Sequence, residues 1–153
     1  MPHPFALASR QLCAGLLLCL SMGAAQAQFA MVPTALPPPM KPSEAESDTA
    51  YRADGARHIY ASYPTRIFKG RLPPLLYGVA IIETDVDATG QVLDVRVRRP
   101  PAAPEVGPWI QQMIRRAAPF PVPARMGRAT YVDIWLVHRS GNFQLDTLTE
   151  GQN

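Results

Sequence analysis

The segment "YGVAIIETDVDATGQVLDVRVRR" (residues 77–99) holds two β-branched runs separated by Asp87-Ala88-Thr89-Gly90. A glycine closing such a turn supplies a positive φ without a Cβ clash, so the stretch predicts a β-hairpin. In the second run Val95 and Val97 alternate with Asp94, Arg96 and Arg98, which gives one buried face and one wet face. Around Ile81 and Ile82 the first run is apolar at consecutive positions. A strand apolar on both faces belongs nearer the middle of its sheet. Asp85 and Asp87 stand beside the turn, where an aspartate serves local turn chemistry.

Downstream, "PPAAPEVGP" (residues 100–108) leads into Val106, Trp109, Ile110, Met113, Ile114 and Ala117. Their spacing of i, i+3, i+4, i+7, i+8 and i+11 is the apolar stripe of a helix laid on a sheet. Arg115 and Arg116 fall in its last turn, where cations suit the helix dipole. Pro119 then forces Ala118 out of helical geometry. A second hairpin follows in "ATYVDIWLVHRSGNFQLDTL" (residues 129–148). Val132, Ile134 and Leu136 alternate with Tyr131, Asp133 and Trp135, Ser140-Gly141 marks the turn, and Phe143 and Leu145 alternate with Gln144 and Asp146. Trp109 reads as core. Trp135 either packs under a loop or is exposed for a partner.

Upstream, Ala56, Ile59, Tyr60 and Tyr63 share one helical face. Ser47 or Asp48 is placed to cap the start, Pro64 ends the helix around Ser62, and Gly55 weakens it by about 1 kcal/mol. The order is helix, strand, strand, helix, strand, strand. That order predicts an α+β fold, a small antiparallel sheet of three to four strands with two helices on one face. Residues 49–150 form the domain.

Residues 1–27 read as a secretory signal peptide. Arg10 supplies charge, "LCAGLLLCLSMGAA" (residues 12–25) an apolar run, and Ala25-Gln26-Ala27 small residues for cleavage between Ala27 and Gln28. The run is shorter than the ~20 residues that cross a bilayer. The alternative is an uncleaved anchor continued through Phe29, Met31 and Val32, and only then would the chain engage a membrane. Residues 28–48 hold "QFAMVPTALPPPMKPSEAESD", a proline-rich linker expected to be extended and poorly packed. The reading places the protein in the periplasm.

The chain has 153 residues, with 15 basic and 12 acidic side chains and a net charge of +3. Without Arg10 the balance is +2, too weak a field to point to nucleic acid. Both cysteines, Cys13 and Cys19, lie in the signal segment, so the mature domain has no thiol, disulfide or cysteine metal site. Asp54 and His58 share a helical face at i, i+4, but two ligands without a third read as a solvated contact. His138 reads as a turn-flanking residue. There is no nucleophile elbow and no phosphate-cradling glycine loop. Arg96, Arg98 and Arg99 form a basic stripe read as a solvated face. No catalytic, cofactor-binding or metal-binding residue is assigned, and the chain is expected to be non-enzymatic.

The order of these pieces resembles the C-terminal domain of TonB and its TolA-like relatives, across about residues 51–148. Tyr63-Pro64-Thr65-Arg66 is similar to the Tyr-Pro segment after that family's first helix. Residues 78–97 are similar to its first hairpin, and Ala118-Pro119-Phe120-Pro121 to an aromatic-proline exit from its second helix. The resemblance implies that Phe120 tucks beneath the helix end while the prolines hold the chain extended on its return to the sheet.

It also implies capture of a partner's extended peptide at the edge of the third strand, residues 130–138. The partner is then an envelope protein or an outer-membrane receptor peptide, and a homodimer stays open. The short spacer, the cleavable segment and "RIFKGRLPPLL" (residues 66–76) depart from TonB itself. The alternative is therefore a membrane-anchored energy transducer for outer-membrane uptake, with a small ligand-binding domain or enzyme behind it. On this reading Tyr131, Asp133, Trp135 and Val137 flank the partner. Phe143 and Leu145 belong to a lightly packed C-terminal strand that covers the edge and can be displaced.

Overall fold

A computed structural model describes residues 40–152. The signal segment, the Ala27–Gln28 cleavage position and most of the linker lie outside the described residues. Helix α1 spans Asp48–Ser62, and the Ser47 side chain accepts the Ala50 amide at its start. Strands β1 (Gly78–Val86) and β2 (Val92–Arg99) form the first hairpin. Helix α2 (Val106–Arg116) follows, then β3 (Ala129–Val137) and the short β4 (Phe143–Leu145). The sheet is antiparallel throughout, in the order β2-β1-β3-β4. The α+β architecture is therefore the one read from the sequence, with β1 inside the sheet.

Both helices bury their stripes on one side of the sheet. The even-numbered residues of β1 and the odd-numbered residues of β3 face them, pairing Ala80 with Trp135, Ile82 with Asp133 and Thr84 with Tyr131. Helix α2 contributes Val106, Trp109, Ile110, Met113 and Ile114, and α1 contributes Tyr51, Ala56 and Ile59. Gly55 has a packing reason: a Cβ there would lie 2.8 Å from the Tyr131 ring. The helix trades propensity for a closer approach to β3.

Ile114 is 1% exposed at the centre of the α2 stripe. Ile114→Ala is expected to lower stability by roughly 2–5 kcal/mol, because the cavity left behind is only partly filled by relaxation. A urea unfolding curve indistinguishable from the parent would contradict this packing.

The proline segment after α2 acts as a bracket at one end of the domain. Phe120 is fully buried, with its ring 4.5 Å from that of His58. Its amide donates to the Gly90 carbonyl at 2.7 Å, so the β1–β2 turn docks on it. The Ala118–Pro119 peptide bond is cis. Tyr51 reaches the same bracket by donating from its hydroxyl to the Pro121 carbonyl at 2.6 Å.

The N-terminal approach differs from the expected loose linker. Ser43 is buried, its amide donates to the Val122 carbonyl at 2.9 Å, and its carbonyl accepts the Ala124 amide. Within the described residues, packing starts at Ser43 and not at Asp48.

Candidate functional site

The expected partner edge is β3 with β4, and the alternation along β3 determines what it presents. Tyr131, Asp133, Trp135 and Val137 are all buried on the helix-covered face. The opposite set, Val132, Ile134 and Leu136, lies on the open face of the sheet, with Val132 39% exposed. The expectation that the odd-numbered side chains flank a partner is therefore corrected. Both sets are apolar enough to be core, and Asp133 disguised the inward one.

Asp133 is accommodated by partners that sequence spacing does not reveal. Arg52 of α1 donates to its Oδ1 from Nε at 3.2 Å and from Nη2 at 2.8 Å. The same Nη2 reaches Asp146 at 3.1 Å, and the Thr147 hydroxyl donates to Asp133 Oδ1 at 3.1 Å. The Ile134 amide adds a bond of 2.8 Å. Oδ2 is buried without a protein partner. Burial pushes the Asp133 carboxyl above its ordinary range, and Arg52 only partly offsets this.

The second correction concerns β4. All three of its residues are buried. Phe143 lies 4.6 Å from Trp135, ring to ring, and meets Trp109 and Tyr60 edge-on at 6.2 and 6.3 Å. Gln144 donates to the carbonyls of Phe68 and Gly70 at 2.8 Å each, and its Oε1 accepts the Thr149 hydroxyl and the Glu150 amide. The Phe68 amide donates to the Phe143 carbonyl, and parallel bridges join Ile67 to Phe143 and Leu72 to Gln152. The 67–72 stretch thus lies outside β4 as an irregular further layer. Phe143 and Leu145 are core residues, so a lightly packed cover is not what the structure contains.

What remains of the β3 edge is narrow. His138 donates to the Asn142 carbonyl, so even-numbered amides of β3 point away from β1. The Thr130 and Ile134 amides are held by the carboxylates of Asp48 and Asp133, at 2.8 Å each. Val132 alone sits between these two occupied positions.

The remaining polar residues fall into local roles. Asp87 Oδ1 accepts from the Thr89 amide and hydroxyl and from the Gln91 amide, and these bonds, with Thr89 foremost, hold its carboxyl below the usual range. Asp85 pairs with Arg96 at 2.8 Å and accepts from the Thr130 hydroxyl. Arg96 also meets Glu83 and Asp94, so the first arginine of the basic stripe is enclosed by carboxylates. His138 binds the Ser140 hydroxyl at 2.9 Å beside its turn.

Asp54 and His58 are not a solvated pair. Asp54 accepts from Ser43 and Arg57, whereas His58 is buried with Nε2 2.6 Å from the Ala117 carbonyl. Both line a groove of about 550 Å³ with Ser43, Arg57, Ala61 and Pro121. Sequence reasoning missed this groove because Ser43 reaches it from the supposed linker. Among the described residues no cluster of three metal-ligating side chains occurs, and no helix is long and apolar enough to cross a membrane.

Burial lowers the His58 pKa, against the opposing effect of its bond to Ala117. The unfolded chain then binds a proton near pH 6.5 that the folded chain refuses, so stability falls as pH drops below about 6.5. Asp133 acts in the opposite sense, because its raised pKa lets the folded state take a proton first. Melting temperatures compared between pH 7 and pH 5.5 are expected to fall less for His58→Gln than for the parent. Equal slopes would contradict a neutral buried imidazole.

Comparison with protein-family models, curated proteins and solved structures gives no match for this chain.

Proposed function

We propose that this chain is a non-enzymatic interaction module of the cell envelope, exported to the periplasm, that binds an extended segment of another protein by adding it to its sheet. The carrying observation is the asymmetry of the sheet. Helices cover one face, β4 and the 67–72 layer close one side, and β2 has no strand neighbour on the other among the described residues. An edge strand of eight residues offers a row of backbone donors and acceptors that another chain can complete. The element order that resembles the TonB C-terminal domain supports the same reading.

Two measurements test it. N-terminal sequencing of the protein recovered from a periplasmic fraction is expected to begin at Gln28. An intact Met1 in the membrane fraction would favour the anchored transducer instead. A photo-reactive side chain at the exposed Leu93 is expected to cross-link to a protein segment. Cross-links obtained only from the groove beside Ser43 and Ala61 would overturn strand capture.

A further inference from the structure

The outer edge of β2 carries two hydrogen bonds that have the form of a missing neighbour. The Val95 side chain is buried toward the helices. Its amide donates to Asp94 Oδ1 at 2.8 Å, and its carbonyl accepts Gln111 Nε2, from α2, also at 2.8 Å. A residue directly opposite in an antiparallel hydrogen-bonded pair supplies one acceptor and one donor to the same two groups. Asp94 and Gln111 together occupy the place of that residue. Both belong to exposed or half-exposed positions and can swing aside without opening the core.

Charge along this edge points to the occupant. Arg96, Arg98 and Arg99 fill three of the last four positions of β2. Arg96 is saturated by Glu83, Asp85 and Asp94. Arg98 reaches Glu83 only at 3.5 Å and Arg115 reaches Asp94 only at 3.4 Å. Arg99 is exposed, with no ion-pair partner among the described residues. Leu93, 62% exposed, offers an apolar contact on the same strand. Pairing β2 with a second copy of itself would put three arginines and only one aspartate from each strand into one ladder, and that excess of like charge is unfavourable.

We propose that the β2 edge seats an extended acidic segment of a partner protein, whose backbone takes over the Val95 bonds from Asp94 and Gln111 and whose carboxylates lie by Arg98, Arg99 and Arg115. This rests on the strand-capture reading and deepens it by naming the edge and the chemistry.

The test uses the isotope-labelled full chain and two end-capped peptides, Thr-Val-Glu-Val-Glu-Val-Thr and its counterpart with lysine for glutamate. The acidic peptide is expected to shift the amide resonances of residues 93–99, and the basic peptide to leave them unchanged. Arg99→Ser is expected to weaken binding about fivefold, and Gln111→Ala to tighten it about threefold by freeing the Val95 carbonyl. Equal binding of both peptides would overturn the acidic chemistry. Shifts confined to β3 and β4 would overturn the β2 assignment while leaving strand capture standing. Absence of shifts at either edge would remove both. A chain already dimeric through β2 without peptide would replace the acidic partner by a second copy.

Discussion

Ending the chain after Ser140 is expected to abolish the cooperative thermal transition, not to expose a functional edge. The cut removes Phe143, which is fully buried between Trp135, Trp109 and Tyr60, and Leu145, which is 1% exposed. Each truncated core side chain of this size costs about 2–5 kcal/mol. The cut also strands the carbonyls of Phe68 and Gly70 that Gln144 serves, and unsatisfied groups add to the loss. Together these approach the whole stability of a small domain, about 5–15 kcal/mol. Circular dichroism during heating is the measurement. A truncated chain that still melted sharply near the parent temperature would restore the idea of a displaceable cover.

Gly90→Ala is the second large effect. Gly90 has a φ of +83°, and its carbonyl accepts the Phe120 amide at 2.7 Å. A Cβ at this position would sit inside the van der Waals envelope of the Phe120 carbonyl oxygen, a backbone atom that cannot rotate away. Strain at positive φ alone costs roughly 1–2 kcal/mol, and separating the turn from its bracket adds the loss of that hydrogen bond. A total of about 3 kcal/mol or more is expected from chemical denaturation. Gly127→Ala isolates the strain, because Gly127 has a φ of +70° with nothing near its would-be Cβ. If the two substitutions cost the same, docking of the turn on Phe120 contributes nothing.

Local signals in the sequence carried most of the fold. The Ser47 cap and the Pro64 stop bound α1 where the chain places them, and the α2 stripe is buried as spaced. These features depend on neighbours a few residues away, so periodicity and proline chemistry are enough to locate them. The orientation of β3 was not legible in the same way. Its two alternating sets are both rich in large side chains, and the decisive partner of Asp133 is Arg52, far off in sequence on α1.

The 67–72 layer was illegible for a related reason. Its pairing is with Phe143 and Gln152 and leaves no period in its own residues. Ser43 in the supposed linker meets its partners through contacts with residues 122–124 and with Asp54 on α1, all distant in sequence. The two groups that cap Val95, one beside it and one on α2, become meaningful only once α2 is seen to run along β2.

The position of β1 between β2 and β3 also bears on the order in which the sheet assembles. Its pairing with β2 closes a turn of a few residues, an event of about 1–10 μs for a hairpin. Its pairing with β3 sets Gly78 opposite Val137 and Val86 opposite Ala129, so the whole α2 connection must be gathered before any of those contacts is gained. Loop-closure entropy of that kind precedes its reward and slows the rate-limiting step. Substitutions in the first hairpin are then expected to act mainly on the folding rate, and those in β4 mainly on the unfolding rate. The edge left outermost in the finished sheet belongs to the hairpin that is quickest to form.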